Sequence, residues 1–264
     1  MRGWIDSARY VGAVHYALSG HIHPLKYCLG LAEAARAAGA TLYGHSRALL
    51  IERGRRPVVR TEHGRVACDF VVAAGNAYLG GLLPSIAPRL MPLRSFIIAT
   101  ETLPAELARS LIRDRAAVSD NNFMLDYYRV DADDRMLFGG RVSSRAAGPG
   151  DLAPVLADRM RQAFPQLAHY KVEHAWGGLV DLTMNRAPDF GRVDDNLYYL
   201  QGFCGHGVAL AGIAGQLVAE AIAGQAERFD LFASLRHTSF PGGPAMHGTL
   251  LRLGILYYQL RELI

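Results

Sequence analysis

The sequence predicts an α/β fold that becomes α+β in its second half, and three observations indicate this class. Segments with the period of a helix alternate with segments that have the period of a strand along the 264 residues. Two apolar strands, Val66–Ala73 and Leu197–Gln201, each run into a glycine-containing turn. Half of the residues are apolar and a fifth are charged, which is the composition of an ordinary globular domain.

The first predicted element is a helix over His23–Ala38. Pro24 suits the first helical position, and Gly39 suits the left-handed cap that follows the last turn. Three later helices are predicted, at Ala105–Ile112, Leu152–Ala163 and Gly207–Ala223. The last of them carries a small residue at every fourth position, so one of its faces admits the close approach of a large, flat group.

The strands are predicted from apolar alternation and from the turn residues that bound them. In chain order they are Ala40–Tyr43, Arg47–Arg53, Val58–Arg60, Val66–Ala73, Leu93–Thr100, Phe123–Val130, Met136–Arg141, Val172–Leu179 and Leu197–Gln201. The pair around Asp131–Asp134 is expected to form a hairpin. The run Val71–Ala74 does not alternate, which indicates that this strand ends in a buried position.

The segment Gln201–Val208 contains the strongest chemical signal, because a strand runs through a glycine-rich turn into a helix. Such a turn presents unpaired N–H groups and the positive end of the helix dipole, so it favours negative charge. Leu210 stands where a dinucleotide fingerprint needs glycine, and no Walker Lys-Ser/Thr follows. Three interpretations remain open: a ring that becomes negative during reaction, such as a reduced flavin, a simple anion-binding module, or a turn that only packs tightly.

A second candidate segment follows the buried strand end, at Ala74, Gly75 and Asn76. Ligands of α/β sheets bind at the carboxyl ends of the strands, and small residues let a cofactor come close to the backbone. Small residues also end strands for reasons of packing alone.

Tyrosine and histidine side chains give weaker signals. Tyr127 and Tyr128 are expected to alternate across their strand, one facing a pocket and the other packing or meeting solvent. His21 and His23 form a pair without a third ligand nearby, so no metal site is predicted. A role at the start of the first helix is expected for His23. No Gly-x-Ser-x-Gly occurs, which excludes the nucleophile elbow of the α/β hydrolases.

Charge and cysteine usage exclude several classes of protein. The chain has 28 Lys and Arg against 24 Asp and Glu, and the basic residues are scattered, which does not favour binding to nucleic acid. Three cysteines without a Cys-x-x-Cys pair exclude a zinc ribbon and favour a reducing, cytoplasmic compartment. The longest apolar-rich segment, Thr249–Ile264, includes charged residues and is too short to span a bilayer. The first residues lack the apolar core of a signal peptide.

Nine segments together resemble FAD-dependent amine and amino-acid oxidoreductases of the D-amino-acid oxidase type. Each motif is short, but they occur in the order of that family and cover nearly the whole chain. They are Gly20–Pro24, Ala34–Ala40, Val71–Gly80, Leu125–Arg129, Leu137–Gly140, Phe164–Leu167, Gln201–Val208, Ala226–Asp230 and Phe240–Gly243.

The resemblance implies an incomplete FAD-binding domain interleaved with a mixed β-sheet domain that binds the substrate. The expected FAD-binding parts are residues 1–90 and 170–235, the substrate part is 91–169, and 236–264 forms a C-terminal tail. The implied flavin-binding residues are Ala48 near the adenine, Ala74, Gly75 and Asn76 near the ADP moiety, and Gly205, His206, Gly207 and Val208 at the pyrimidine edge. Tyr128 and His21 are the candidate pocket residues.

The implied reaction is oxidative deamination of a small-molecule amine, with dioxygen or another electron acceptor as co-substrate. Val180 stands where amino-acid oxidases of the family carry an arginine for the substrate carboxylate, so an amine without an α-carboxylate is expected. Two roles are open for Asp181 beside it: attraction of the cationic end of the amine, or a solvated loop carboxylate, of which the second is expected. The family member that links flavin covalently does so through a cysteine near this stretch. No cysteine lies there, so non-covalent FAD is expected.

The GxGxxG unit, with which the family binds the ADP half of FAD, does not occur in this sequence. The chain alone is therefore expected to hold FAD weakly, and a partner chain that supplies the unit is one expectation. The alternative interpretation is a non-catalytic remnant, or one subunit of a heteromeric oxidase, that binds a partner chain instead of FAD.

Overall fold

A computed structural model describes residues 3–122, 125–143 and 149–261. Six helices lie in these ranges: α1 (Pro24–Ala37), α2 (Ala105–Leu111), α3 (Pro149–Ala163), α4 (Gly207–Ile222), α5 (Glu227–Ala233) and α6 (Gly243–Arg261). The strands are β1 (Leu50–Glu52), β2 (Val58–Arg60), β3 (Arg65–Ala67), β4 (Val71–Ala73), β5 (Met91–Thr100), β6 (Val118–Ser119), β7 (Asp126–Val130), β8 (Met136–Ser143), β9 (Val172–Leu182), β10 (Asp189–Asp194) and β11 (Leu197–Gln201).

The described residues form two compact units. Unit 1 comprises Met1–Ile22, Arg94–Gly178 and Gly248–Ile264, and unit 2 comprises His23–Leu93 and Leu179–His247.

Unit 2 contains two small sheets and the helices α1, α4 and α5. Strands β1, β2 and β3 form an antiparallel sheet, whereas the second sheet has the order β10-β11-β4, with β11 parallel to β4. Helices α4 and α5 cover the second sheet, because their apolar residues meet its buried face. The core there consists of Phe190, Tyr198, Leu200, Ala214, Leu217, Val218, Ala221 and Phe229.

Unit 1 is built on a five-stranded sheet in the order β6-β7-β8-β5-β9, which includes most of β5 and β9. Helix α3 packs on one face of this sheet. The alternating burial of β7, in which Asp126, Tyr128 and Val130 are buried, assigns the even-numbered residues of that strand to the core face. Phe96, Phe138 and Phe164 are central members of the same core.

The predicted helices are confirmed to within a few residues, and so is the role of His23. Its Nδ1 accepts a hydrogen bond from Lys26 N at 3.3 Å, which caps α1. No residue of α1 is buried: the side chains of Leu25 and Leu29 are 61% and 60% exposed.

Two predicted strands are wrong in detail. Ala40–Tyr43 contains no strand, and Leu42 and Tyr43 are exposed, so no buried sheet face holds this segment. Val66–Ala73 forms two strands of different sheets. Cys68 N donates to Pro57 O at 3.1 Å at the end of the β2–β3 hairpin, and Val71 then pairs with Leu197.

The predicted hairpin around Asp131–Asp134 is confirmed as β7 and β8. Phe123, with which the prediction began its first strand, lies outside the described residues.

Among the residues that the structure describes, no single helix is long and apolar enough to cross a membrane. Helices α4 and α5 reach such a length only as a pair, bent by 120°. The described His, Cys, Asp and Glu side chains form no group of three that would hold a metal ion, and all three cysteines are free thiols.

Candidate functional site

The two glycine-containing segments that the sequence singles out lie side by side in unit 2. Strand β4 pairs with β11 in parallel, with Val71 opposite Leu197 and Ala73 opposite Tyr199. The residues that follow the two strands therefore emerge at the same edge of the sheet. Gly202 N lies 3.2 Å from Asn76 Oδ1 and donates to it, so the two segments are also joined by a hydrogen bond.

The turn after β11 depends on left-handed backbone. Gly202 has φ +78, and a Cβ there would lie 2.7 Å from Thr183 Cγ2 and 2.9 Å from Asp189 N. Any side chain at Gly202 would therefore displace the neighbouring strand end. Gly205 has φ +89, and a Cβ there would meet nothing within 4 Å, so the turn has open space beside it.

Helix α4 begins directly after this turn, with His206 as its N-cap. The His206 side chain makes no capping hydrogen bond. Ala209 N donates to His206 O at 3.1 Å, whereas the described residues give no acceptor to the amides of Gly207 and Val208. His206 and Val208 are exposed, and Gly207 is half-buried. The arrangement is a helix N-terminus that opens to the outside of the unit and attracts negative charge.

The small-residue face of α4 is the exposed one. Ala211, Gly215 and Ala219 are exposed, whereas the core contacts come from Ala214 and Leu217 on the other side of the helix. The exposed face of α4 is therefore the one that the sequence predicted to admit a large, flat group at close distance.

Asp181 lies beside the turn, and the expectation for this residue was wrong. It lies on strand β9 and is fully buried. Its carboxyl group forms hydrogen bonds with the main chain of the turn and has no access to water. Its Oδ2 accepts from Gly202 N at 2.8 Å. Burial raises the pKa of this carboxyl group, and hydrogen bonds from the Gly202 and Cys204 N–H groups and the Asn76 amide offset only part of that effect.

The other predicted flavin-binding residues have simpler surroundings. Ala74 is exposed at the end of β4, and a Cβ at Gly75 would lie 2.9 Å from Leu79 Cδ2. Ala48 is half-buried and precedes β1, so it belongs to the other sheet of unit 2.

The two predicted pocket residues lie in unit 1 and differ in surroundings. Tyr128 is 3% exposed and packs in the core, stacked on Phe138 at 5.5 Å and edge-on to Phe164 at 5.1 Å between ring centroids. Burial raises the pKa of its hydroxyl. His21 is exposed: its Nε2 lies 3.0 Å from Arg115 O and its Nδ1 lies 2.5 Å from Arg129 Nη1.

Tyr128 was the candidate pocket residue of the two neighbouring tyrosines, but it lies on the core face of β7, and Tyr127 lies on the other face. Its ring lies over Gly139, where a Cβ would be 2.1 Å from Tyr127 Cε2. Its hydroxyl and Ser95 Oγ are 2.7 Å apart. Because β7 alternates, Tyr127 lies on the face of the sheet opposite to α3. The pairing of Tyr127 with a glycine across β7 and β8 was the signal that could have selected it.

Comparisons with known proteins identify the family of the chain. The family model for FAD-dependent oxidoreductases, DAO, matches residues 2–221. γ-Glutamylputrescine oxidoreductase of Escherichia coli is 44% identical over 263 residues, which are 99% of this chain and 62% of that protein. A probable oxidoreductase, OrdL, of Haemophilus influenzae is 40% identical over 98% of this chain and 60% of its own length. The chain thus spans about three fifths of these curated relatives.

A solved structure gives the same fold. Glycine oxidase from Geobacillus kaustophilus superposes with a TM-score of 0.67 at 22% identity, over 80% of this chain and 57% of that one.

Proposed function

The chain belongs to the DAO family of FAD-dependent oxidoreductases, and from this premise we propose that it takes part in the FAD-dependent oxidative deamination of an amine such as γ-glutamylputrescine. One structural observation carries the proposal: the two segments predicted to contact FAD meet at one sheet edge, beside the open N-terminus of α4. The 44% identity to γ-glutamylputrescine oxidoreductase supports the substrate class.

The residues of the turn fit the flavin in shape and charge. An added Cβ at Gly205 would meet nothing within 4 Å, and the amides of Gly207 and Val208 stand at the N-terminus of α4, where the helix dipole favours an oxygen or nitrogen that gains negative charge. We assign Ala74, Gly75 and Asn76 to the ADP moiety and Ala48 to the adenine. When bound, FAD supplies the hydride acceptor and passes the electrons to dioxygen or another acceptor.

On the substrate side, the protein's task is to orient the amine-bearing carbon and to exclude water until the imine leaves and hydrolyses to an aldehyde and ammonia. Of the candidates Tyr127, Tyr128 and His21, we favour Tyr127 over Tyr128. The ring of Tyr127 lies on the face of the sheet that α3 does not cover, whereas Tyr128 packs in the core. Val180 offers no charge to a carboxylate, which supports a substrate without an α-carboxylate at the reacting carbon.

Tight binding of FAD requires more than these contacts. The sequence has no GxGxxG, so its own turns provide no cradle for the pyrophosphate. Helix α1 exposes leucines on a surface where another polypeptide segment would bury them. We propose that a GxGxxG unit, in the same polypeptide or in a partner chain, completes the FAD site. The free thiols support a reducing, cytoplasmic compartment.

The test has two stages. FAD is titrated into the purified chain and followed by flavin fluorescence, and we expect weak, saturable binding. Flavin-loaded protein is then mixed anaerobically with γ-glutamylputrescine, putrescine, D-alanine or glycine. We expect γ-glutamylputrescine to bleach the flavin absorbance fastest. Faster bleaching by glycine or D-alanine would overturn the substrate class, and no binding at millimolar FAD would overturn the cofactor assignment for the chain alone.

A further inference from the structure

Asp181 and Asp189 of unit 2 are both buried, with 0% and 1% of their surface exposed. They differ in the groups that they contact. Asp189 is held by side chains: Gln201 Nε2 at 2.8 Å, Tyr199 OH at 3.1 Å and Arg89 Nη1 at 3.4 Å. Asp181 bonds the main chain, through Gly202 N at 2.8 Å. Its second oxygen, Oδ1, is buried without a hydrogen bond of normal geometry to any described residue.

The hydrogen bond to Gly202 lies at the point that determines the path of the turn. Gly202 is the first left-handed residue after β11, and its N–H is shared between Asp181 Oδ2 and Asn76 Oδ1. The Gly202 N–H group therefore connects three segments: strand β9 through Asp181, the loop after β4 through Asn76, and the turn after β11 to which Gly202 itself belongs. A change in this amide would redirect Gly205 and His206, which lie three and four residues further on.

We propose that Asp181 is a positioning residue for the flavin: by accepting from Gly202 N it fixes the turn that directs the first amides of α4 at the cofactor. This inference rests on the proposed function for its flavin part, whereas its effect on the turn does not. No cationic side chain is bonded to Asp181 among the described residues, so its contacts with the turn are hydrogen bonds and not an ion pair.

The groups around Asp181 are consistent with this role. From the loop after β4 it faces Asn76, which carries no charge. The turn itself carries two titratable side chains, the exposed His206 and the Cys204 thiol, whose Sγ lies 3.2 Å from Gly202 O and 3.4 Å from Thr183 N. On β9 and in the segment after it, Thr183 is the buried polar neighbour.

The first measurement needs no cofactor. Exchange of the Gly202 amide is followed by NMR in the unmodified chain and in the variants Asp181→Ala, Asp181→Asn and Asp189→Asn. Asp181→Ala removes the nearer of the two acceptors of this amide, and we expect about five- to tenfold faster exchange after correction for global stability, as for one lost hydrogen bond. Asp181→Asn keeps an acceptor oxygen in a neutral group, and we expect a change of less than about twofold. Asp189→Asn is the matched control and is expected to leave this amide unchanged.

The second measurement is the FAD affinity of the same variants, with the melting temperature of each. We expect Asp181→Ala to weaken FAD binding about tenfold and Asp181→Asn to bind FAD with unchanged affinity. We expect Asp189→Asn to retain its FAD affinity even if its melting temperature falls as much as that of Asp181→Ala.

Three results would overturn the proposal: unchanged exchange of Gly202 in Asp181→Ala, an Asp181→Asn variant as impaired as Asp181→Ala, or affinities that follow melting temperature in all variants. If the unmodified chain binds no FAD, the cofactor assignment for the chain alone and the flavin part of this inference fail, whereas the exchange rates still decide whether Asp181 holds the turn.

Discussion

Replacing Gly139 with alanine will displace the ring of Tyr127, which lies on the face of the unit 1 sheet opposite to α3. The added Cβ would lie 2.1 Å from Cε2 and 2.5 Å from Cζ of Tyr127, well inside any tolerated contact. Strand β8 cannot retreat, because Gly139 is paired with Tyr127 on one side and with Ile97 on the other. The ring must therefore swing away and give up its 2.7 Å hydrogen bond with Ser95.

The magnitude follows from these two effects. Overpacking of a fixed site costs about 1–3 kcal/mol, and the lost hydrogen bond about 1 kcal/mol more. We expect Gly139→Ala to lower the free energy of unfolding of unit 1 by about 2–4 kcal/mol. Tyr127→Ala alone removes the ring and costs part of its packing. In the double variant the new methyl group has room, so the second change costs far less than it does alone.

Urea denaturation measures this coupling, with tryptophan fluorescence as the signal, since Trp4 and Trp176 both belong to unit 1. We expect the double-mutant cycle to give a coupling energy above about 1 kcal/mol. Tyr127→Phe in the Gly139→Ala background serves as control, because it keeps the ring and should not relieve the clash. Additive effects of the two alanine substitutions would refute the reasoning, since they would mean that the ring does not lie over Gly139.

Three further predictions concern other residues. The pKa of Tyr199 is raised by burial to about 12, so its contribution to stability is complete below pH 10 and is lost, by about 2–3 kcal/mol, as the pH rises towards 12; alkaline melts of Tyr199→Phe should lack this loss. Gly207→Leu should weaken FAD binding at least tenfold, whereas Gly207→Ala, whose Cβ meets Phe203 at 3.6 Å, should not. Arg159→Met removes one of the two arginines that the described residues place on the buried Asp126, the other being Arg9 at 3.0 Å, and calorimetry should show a loss of about 3 kcal/mol.

The sequence was sufficient for elements whose signals are local. Helix α1 follows from Pro24 and Gly39, and the turn into α4 follows from three glycines within seven residues. The division of Val66–Ala73 between two sheets was not predictable, because the apolar pattern is continuous through it. The break depends on which strand pairs with each half, and both partners, β2 and β11, are defined only by tertiary structure.

The candidate site shows the same limit at single residues. Alternation predicted that one of Tyr127 and Tyr128 packs, but the pattern contains no information on which face α3 covers. For Asp181 the predicted strand ended at Leu179, whereas β9 continues through Leu182 and carries the aspartate into the core. In both cases the deciding partner, α3 or the Gly202 amide, is distant in sequence.

Burial by itself does not assign a role to a polar residue in this protein, and the two buried aspartates of unit 2 show why. Asp189 is bonded by an arginine, a tyrosine and a glutamine, so its partners can compensate a negative charge where it stands. Asp181 has the same low exposure, but it is bonded by uncharged groups, namely the N–H groups of Gly202 and Cys204 and the amide of Asn76, and burial raises its pKa. Asp181 thus holds the main chain of the turn, whereas Asp189 holds side chains. The chemistry of the turn therefore depends on which atoms contact each carboxyl group.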